Sequence, residues 1–397
     1  MHVAVVLGDI EPQAGGGFTF VHDVVSAFLE LAKESAHRFT LLAPQSYADA
    51  MHGRELAANV AVVPRQKAYF LDRPVSLLRH YSPIFGYFWR RASSLERQTR
   101  SLGIDLIWLA GGLHDTYETP YVTTLWDVQH LTHPWFPEVS ANWIWDHREL
   151  FLRRHLRRAT SIIVGTRVGR DEIVRYYGVP EEHITILPHP TPGFALRAAG
   201  ESITTKPPSD IPKNYILYPA QFWPHKNHVN LLKALRLLVE ADPETPALVL
   251  VGSDKGSRAF VESCAGDLGI SHKVLFLGFV STEELIGLYR NARALVYPSF
   301  SGPENLPPLE AFALGCPAIV SDYRGAEEQL GDSAVLFDPA NPAAIAQAIA
   351  RVITDESLRV QLIERGKTRA DKWTGRDFVA GVFKIFDSFE AQRCCWK

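Results

Sequence analysis

The sequence predicts an α/β protein built from two doubly wound domains, and three observations carry that expectation. Short apolar runs alternate with longer amphipathic stretches along the whole chain, as they do where parallel strands are covered on both faces by helices. A strand–loop–helix unit opens each half. Residues 3–7 lead through Gly15, Gly16 and Gly17 into a helical pattern over 18–33, and residues 215–218 lead through a polar loop into one over 229–240. Finally, the chain has 397 residues, more than one ordinary core serves. Residues 197–213 hold Gly200, Pro207, Pro208 and Pro212 without apolar periodicity and read as a linker. The domains are expected at 1–197 and 198–375, followed by a last helix reaching 397.

Composition removes several classes. A formal net charge of −3 and a pI near 6.6 lack the basic footprint that nucleic-acid binding needs. Cys264, Cys316, Cys394 and Cys395 show no metal-ligand spacing. So few cysteines in a chain this long suit a reducing cytosol rather than a disulfide framework. The first eight residues read as a strand rather than a signal peptide. No apolar run reaches the ~20 residues that span a bilayer.

In chain order, 39–43 and 60–63 are further strands. Residues 76–100 interleave aromatic and arginine side chains around Pro83. They read either as a helix pair with a solvated basic face or as a surface for the lipid headgroup zone. Strands follow at 106–110 and 121–125, the latter ending in Trp126 and Asp127. Asp127 either caps a helix or orients hydroxyl groups; Trp126 either packs a core or lines a site. His130 and His133 lack a third ligand at metal spacing. A basic helix over 149–160, a strand at 162–164, a helix over 167–177 stopped by Gly178 and a strand at 184–187 complete the first half. In the second half, strands at 247–251 and 274–278 end in Gly252 and in Phe279–Val280. Ser281 or Thr282 caps the next helix. A strand at 334–337 and helices over 342–354, 355–372 and 374–392 finish the chain. Lys226 stands just before the helix at 229, where a lysine by itself is commonly only a solvated helix start.

Residues 297–322 carry the densest punctuation. A strand end is stopped by Pro298 and followed by a polar loop over 299–304. Asn305 is placed to cap a short helix with Pro307 and Pro308 in its first turn. Gly315 is placed to end it, with Pro317 beyond. A loop held at a helix N-terminus offers amide donors and the positive end of a dipole to a phosphate. Glu310, further along the helix, can present a carboxylate to sugar hydroxyls.

The pattern P-S-x-x-x-x-x-x-L-P-P-L-E-A-x-A-x-G-x-P at Pro298–Pro317 resembles the signature of glycosyltransferase family 4, retaining enzymes of the GT-B fold. The resemblance implies that Glu310 is the second of two family glutamates, the one that holds the ribose. The first, a donor-sugar contact, falls on Gly302, leaving Glu304 and Asn305 as nearby substitutes. Lys226 matches the family lysine that neutralises the donor diphosphate, whereas Gln221 stands at the arginine position. Gly16 and Gly17 match the glycine loop at the diphosphate. Trp126 takes the place of a donor-contacting histidine, with Asp127 after it. Gly252, Phe279 and Val280 face base and ribose, and Asn305 and Leu306 complete the donor site. The last helix crosses back onto the first domain.

The function implied is transfer of a hexose or deoxyhexose, mannose or rhamnose, from a nucleotide-sugar to a saccharide or lipid-linked acceptor of a surface polysaccharide. No Asp-x-Asp motif is present, so Lys226, the helix N-terminus and the glycine loop are expected to carry the leaving-group charge without a metal or other cofactor. Asp127, Lys226, Glu304 and Glu310 are the expected catalytic set. The location is expected to be cytoplasmic, with peripheral membrane contact through 76–100. The alternatives are a catalytically silent sugar-nucleotide binder and a nucleotide-sugar epimerase.

Overall fold

The computed structural model describes residues 1–9, 15–66, 93–111, 118–201, 207–208 and 210–396. It contains two parallel sheets. The first has seven strands: β1 (His2–Leu7), β2 (Arg38–Ala43), β3 (Val60–Pro64), β4 (Leu106–Gly111), β5 (Tyr121–Thr124), β6 (Ser161–Val164) and β7 (Ile184–Ile186), in the order β3-β2-β1-β4-β5-β6-β7. The second has six: β8 (Tyr215–Pro219), β9 (Ala247–Val251), β10 (Val274–Gly278), β11 (Leu295–Tyr297), β12 (Ala318–Ser321) and β13 (Ala334–Phe337), in the order β10-β9-β8-β11-β12-β13. Each order reverses beside the sheet's own first strand. Ligands of doubly wound sheets bind at that reversal, outside the carboxyl ends of the strands. In the first sheet the reversal lies beside the glycine loop after β1. In the second it lies between β8 and β11, whose following loops carry Lys226 and residues 298–305.

The apolar runs are buried as two-sided coverage requires: Val3, Ala4, Val5 and Val6, and Leu295 and Val296, are fully inaccessible. The last helix, Gly375–Arg393, does not stay with the sheet that precedes it. Its Phe378, Val382 and Phe386 join Phe28, Phe39 and Trp108 in the first core, with Phe28 and Phe39 rings 6.3 and 5.4 Å from Phe383. Each such side chain taken from water stabilises by roughly 1.5–3 kcal/mol. Polar contacts fasten the same helix: the N-terminal ammonium lies 2.8 Å from Glu390 and His37 lies 3.0 Å from Asp387.

Some local expectations change. The helix Gly193–Gly200 runs into the stretch read as linker, because Ala195 and Ala198 pack into the second core. Asn305 sits at the start of the helix Leu306–Ala313, yet its side chain makes no capping bond. It accepts from Tyr297 Oη at 2.9 Å and donates to Gly302 O at 3.3 Å instead. Ser281 does cap, in a reciprocal box with Glu284. Of 76–100, the part up to 92 lies outside the described residues, and Ser94–Ser101 is a helix. Among the described residues no helix is long and apolar enough to cross a membrane.

Candidate active site

The second sheet supplies one wall. Asn227, at φ +61°, turns the chain into the helix His228–Ala241, and its amide donates to Pro298 O at 2.9 Å and Pro339 O at 2.8 Å. Those bonds clamp the loop after β8 to the loops after β11 and β13. Lys226 is thereby held with its Nζ 2.8 Å from Tyr297 Oη and 5.3 Å from the centre of that ring. Burial lowers its pKa to about 8, against the fields of Asp127 and Glu138. The Tyr297 hydroxyl in turn donates a hydrogen bond to Asn305 Oδ1, so lysine, phenol and amide form one chain. Glu310 is buried, accepts from Tyr289 Oη at 2.7 Å, and is pushed by burial up to about 7. Its charge acts on Tyr297, the residue that Lys226 touches.

The first sheet supplies the other wall. Gly15, at φ +72°, precedes the helix Gly16–Leu31. The glycines meet groups from across the crevice: a methyl placed on Gly15 would lie 3.6 Å from Gln221 Nε2, and one on Gly16 3.6 Å from Leu306 Cδ1. One on Gly17 would lie 3.3 Å from the Trp126 indole. Gln221 is fixed in turn, donating to Ser253 Oγ at 3.2 Å and accepting from Trp223 Nε1 at 3.0 Å. Gly252 lies under it at φ +150°, where a Cβ would come within 2.3 Å of Ala220 O. Its amide donates to Gly278 O at 2.7 Å, next to an exposed Phe279 and a half-buried Val280.

Asp127 accepts from Arg148 Nη2 and from the Gln129 N–H, both at 2.7 Å. Burial opposes its charge, but Arg148 and that N–H outweigh burial and hold the carboxyl below the usual range. It thus makes a cap-like turn and faces Lys226 electrostatically at once. His130 serves structure. It lies 3.2 Å from Glu149 Oε2, which also accepts from Tyr177 Oη at 2.9 Å.

Two carboxylates tie the walls together. Glu138 Oε1 accepts from the His225 N–H at 3.0 Å and lies 2.5 Å from His225 Nδ1, immediately before Lys226. Glu304 is turned into the first domain rather than toward Lys226. Its Oε1 accepts from the His189 N–H at 2.8 Å, and its carboxyl fills the space over Gly165, where a Cβ would fall 1.1 Å from Oε2. Burial raises Glu304 to about 8 and lowers His189 to about 4. At neutral pH both are therefore uncharged, and their contact is no ion pair.

The structure thus brings Gly16, Gly17, Trp126, Gln221 and Leu306 together, and joins Lys226 to Asn305. It does not bring Glu304 to them. Gly302 adopts φ +118°, with a Cβ there 2.9 Å from Asn305 Oδ1, so the backbone itself is closed to a glutamate at that position. The helix N-terminus is also poorer in donors than expected: Pro307 and Pro308 have no N–H, and the Asn305 N–H bonds to Gln329 Oε1 at 3.0 Å. Leu306 is the amide left in that turn. Sequence reasoning missed Tyr297, Tyr289, Glu138, His225 and Arg148. Only Tyr297 carried a signal, as the last residue of the strand before the punctuated loop. Among the described residues no group of three His, Cys, Asp or Glu could hold a metal.

Two parallel doubly wound domains meeting at their carboxyl-end loops define the GT-B class. Two family models match the two halves: Glycosyltransferase Family 4 over residues 14–192 and Glycosyl transferases group 1 over 201–369. Each half of the chain thus matches a glycosyltransferase model, and the two matches together span most of it. It is 28% identical over 267 residues to O-antigen chain mannosyltransferase B of Escherichia coli, covering 64% of this chain and 66% of that protein. It is 26% identical over 246 residues to the D-inositol 3-phosphate glycosyltransferase of Acidothermus cellulolyticus, covering 59% and 54%. Among solved structures, Anabaena Alr3699/HepE in complex with UDP and glucose superposes with a TM-score of 0.64 at 16% identity, covering 98% of this chain and all of that one.

Proposed function

We propose that the protein is a retaining glycosyltransferase that moves a hexose, mannose in the first instance, from a nucleotide-sugar to a saccharide or lipid-linked acceptor of a surface polysaccharide. The observation that carries this is a half-buried lysine, Lys226, hydrogen-bonded to Tyr297 and facing Asp127 and Glu138, with the glycine loop meeting Gln221 and Leu306 across the same crevice. The mannosyltransferase relative favours mannose; nothing in the comparisons favours rhamnose, and it is not retained.

In this reading the bond between the anomeric carbon and the diphosphate oxygen breaks, and the negative charge that gathers on the leaving group is met by Lys226, the Leu306 amide and the glycine loop. Fixed donors aimed at developing charge need no reorganisation during the reaction. The acceptor oxygen bonds the anomeric carbon on the face that the leaving group departs from, and its proton passes to the departing phosphate. Glu310 orients the ribose hydroxyls and Asp127 orients the sugar or acceptor. Glu304 acts by closing the domains over Gly165, which keeps water from the donor.

The test is a thermal-shift panel of GDP-, UDP- and dTDP-sugars, followed by product analysis with mannose-terminated acceptors. A ligand that binds only the native state raises the melting point, so one nucleotide class is expected to stand out and the product to keep the donor's anomeric configuration. No shift with any nucleotide, or interconversion of the free nucleotide-sugar, contradicts the reading. Turnover is expected to survive EDTA. Flotation with anionic vesicles tests membrane contact through 76–100.

A further inference from the structure

The segment that ties the first domain to the Lys226 loop also carries an aromatic surface that faces solvent. Trp135 is 69% exposed, although it lies among other rings. Its centroid is 5.3 Å from His133 and 6.1 Å from Phe136. Phe136 in turn lies 5.9 Å from Phe300 and 6.1 Å from His225, both of the second domain. The Phe300 N–H donates to His225 O at 2.9 Å, and His225 directly precedes Lys226. A continuous line of rings therefore runs from open solvent to the loop that holds the cation. Its inner end is fixed by Glu138, whose Oε1 engages both the amide and the ring of His225.

Leaving an indole in water forgoes the stabilisation that its burial would give. A cluster of exposed and half-buried rings next to a loop that holds a cation has the mixed apolar and polar lining of ligand sites. The occupant must offer an apolar face and a polar edge. A pyranose ring does both: its C–H faces lie flat on an indole, and its hydroxyls reach outward to groups such as His133. Through Phe136 and His225 this surface adjoins the Lys226 loop, so a saccharide lying on it is next to the proposed donor site.

We propose that Trp135, backed by Phe136 and Phe300, is the platform on which the terminal sugar rings of the acceptor stack, with the Glu138–His225 pair holding its inner end against the Lys226 loop. This deepens the glycosyltransferase reading and rests on it.

The test uses the full chain with bound GDP or UDP, whichever raises its melting point, and α-linked mannotriose and maltotriose as probes, read by ligand-observed NMR and tryptophan fluorescence. Trp135→Ala is expected to weaken oligosaccharide binding, and to raise the acceptor KM, by about tenfold, the scale of one buried aromatic contact. Trp135→Phe is expected to restore most of the loss. The nucleotide-induced thermal shift and the donor KM are expected to stay unchanged in both variants. Saccharide binding by Trp135→Ala equal to wild type overturns the platform. So does a wild type that responds to nucleotide but binds neither saccharide, in which case the glycosyltransferase reading survives. No nucleotide response in the wild type overturns both. A blue shift of indole emission on anionic vesicles that is lost in Trp135→Ala, with saccharides leaving emission unmoved, assigns the surface to lipid and overturns the proposal.

Discussion

Glu304 and Glu310 flank the start of one short helix, and both are buried carboxyls whose pKa burial raises, to about 8 and about 7. Their surroundings divide them. Glu310 stays within its own domain, bonded to Tyr289 and in the field of Tyr297 beside Lys226. Glu304 crosses to the other domain, where the His189 amide and the absence of a side chain on Gly165 receive it. Two like groups a few residues apart thus take different places, one held inside its own domain and one joining the domains. The lesson is that the identity of a residue near a motif says less than the backbone that aims it. With Gly302 at φ +118°, the loop delivers its next carboxyl to His189 and Gly165 of the first domain.

Separate substitutions of the two should pull them apart. Glu310→Ala is expected to raise the donor KM by about thirtyfold, the loss of hydrogen bonds to a charged acceptor, in steady-state assays with the donor varied. Glu304→Ala is expected to change it less than about threefold, and to cost instead ~1–3 kcal/mol of folding stability by leaving the His189 N–H unpaired, read by urea denaturation. Equal effects of the two on KM would erase the distinction. Gly165→Ala sharpens it from the other side. The added methyl occupies the place of Glu304 Oε2, so this change is expected to lower stability as Glu304→Ala does. Combining the two is expected to cost less than their sum, since they remove one shared contact.

The smallest effect is one of pH. A carboxyl whose folded pKa exceeds its unfolded value holds its proton better in the native state. Its contribution is intact below the unfolded pKa and is lost as pH rises through the folded one. For Glu304 that window runs from the ordinary glutamate value of 4.5 to about 8, and Glu310 adds the same sign over a narrower range. Stability is expected to fall with rising pH across it, by roughly 1 kcal/mol per unit at the steepest, and Glu304→Gln is expected to remove the larger part. A thermal-melt series that Glu304→Gln leaves unaltered would contradict the assignment.

Much of this was legible in the chain. Buried parallel strands announce themselves as apolar runs, so the strands of the described residues were visible. Glycine and proline punctuation marked the helix starting at Leu306. The set of Gly16, Gly17, Trp126, Gln221 and Leu306 came from the resemblance to glycosyltransferase family 4 and not from loop position alone. The aim of Glu304 was not legible, because it depends on the positive φ of Gly302 and on vacant space at Gly165, far away in sequence. Nor was the Asn305 side chain, which had two uses open to it, capping or bonding Tyr297, and only tertiary placement decides between them. Glu138 and His225 carried no signal of their own, since their pairing exists only once the two domains meet.

The central claim is that Lys226 is the cation that meets the diphosphate, and titration calorimetry of the responding nucleoside diphosphate against wild type and Lys226→Ala tests it most directly. Because the free amine has a pKa of about 8, wild-type affinity is expected to fall as pH rises from 7 to 9, as the lysine loses its charge. Lys226→Ala is expected to bind at least about tenfold more weakly at pH 7, the worth of a hydrogen bond to a charged group, and to lose that pH dependence. Equal affinity and an unchanged pH profile in Lys226→Ala would contradict the account.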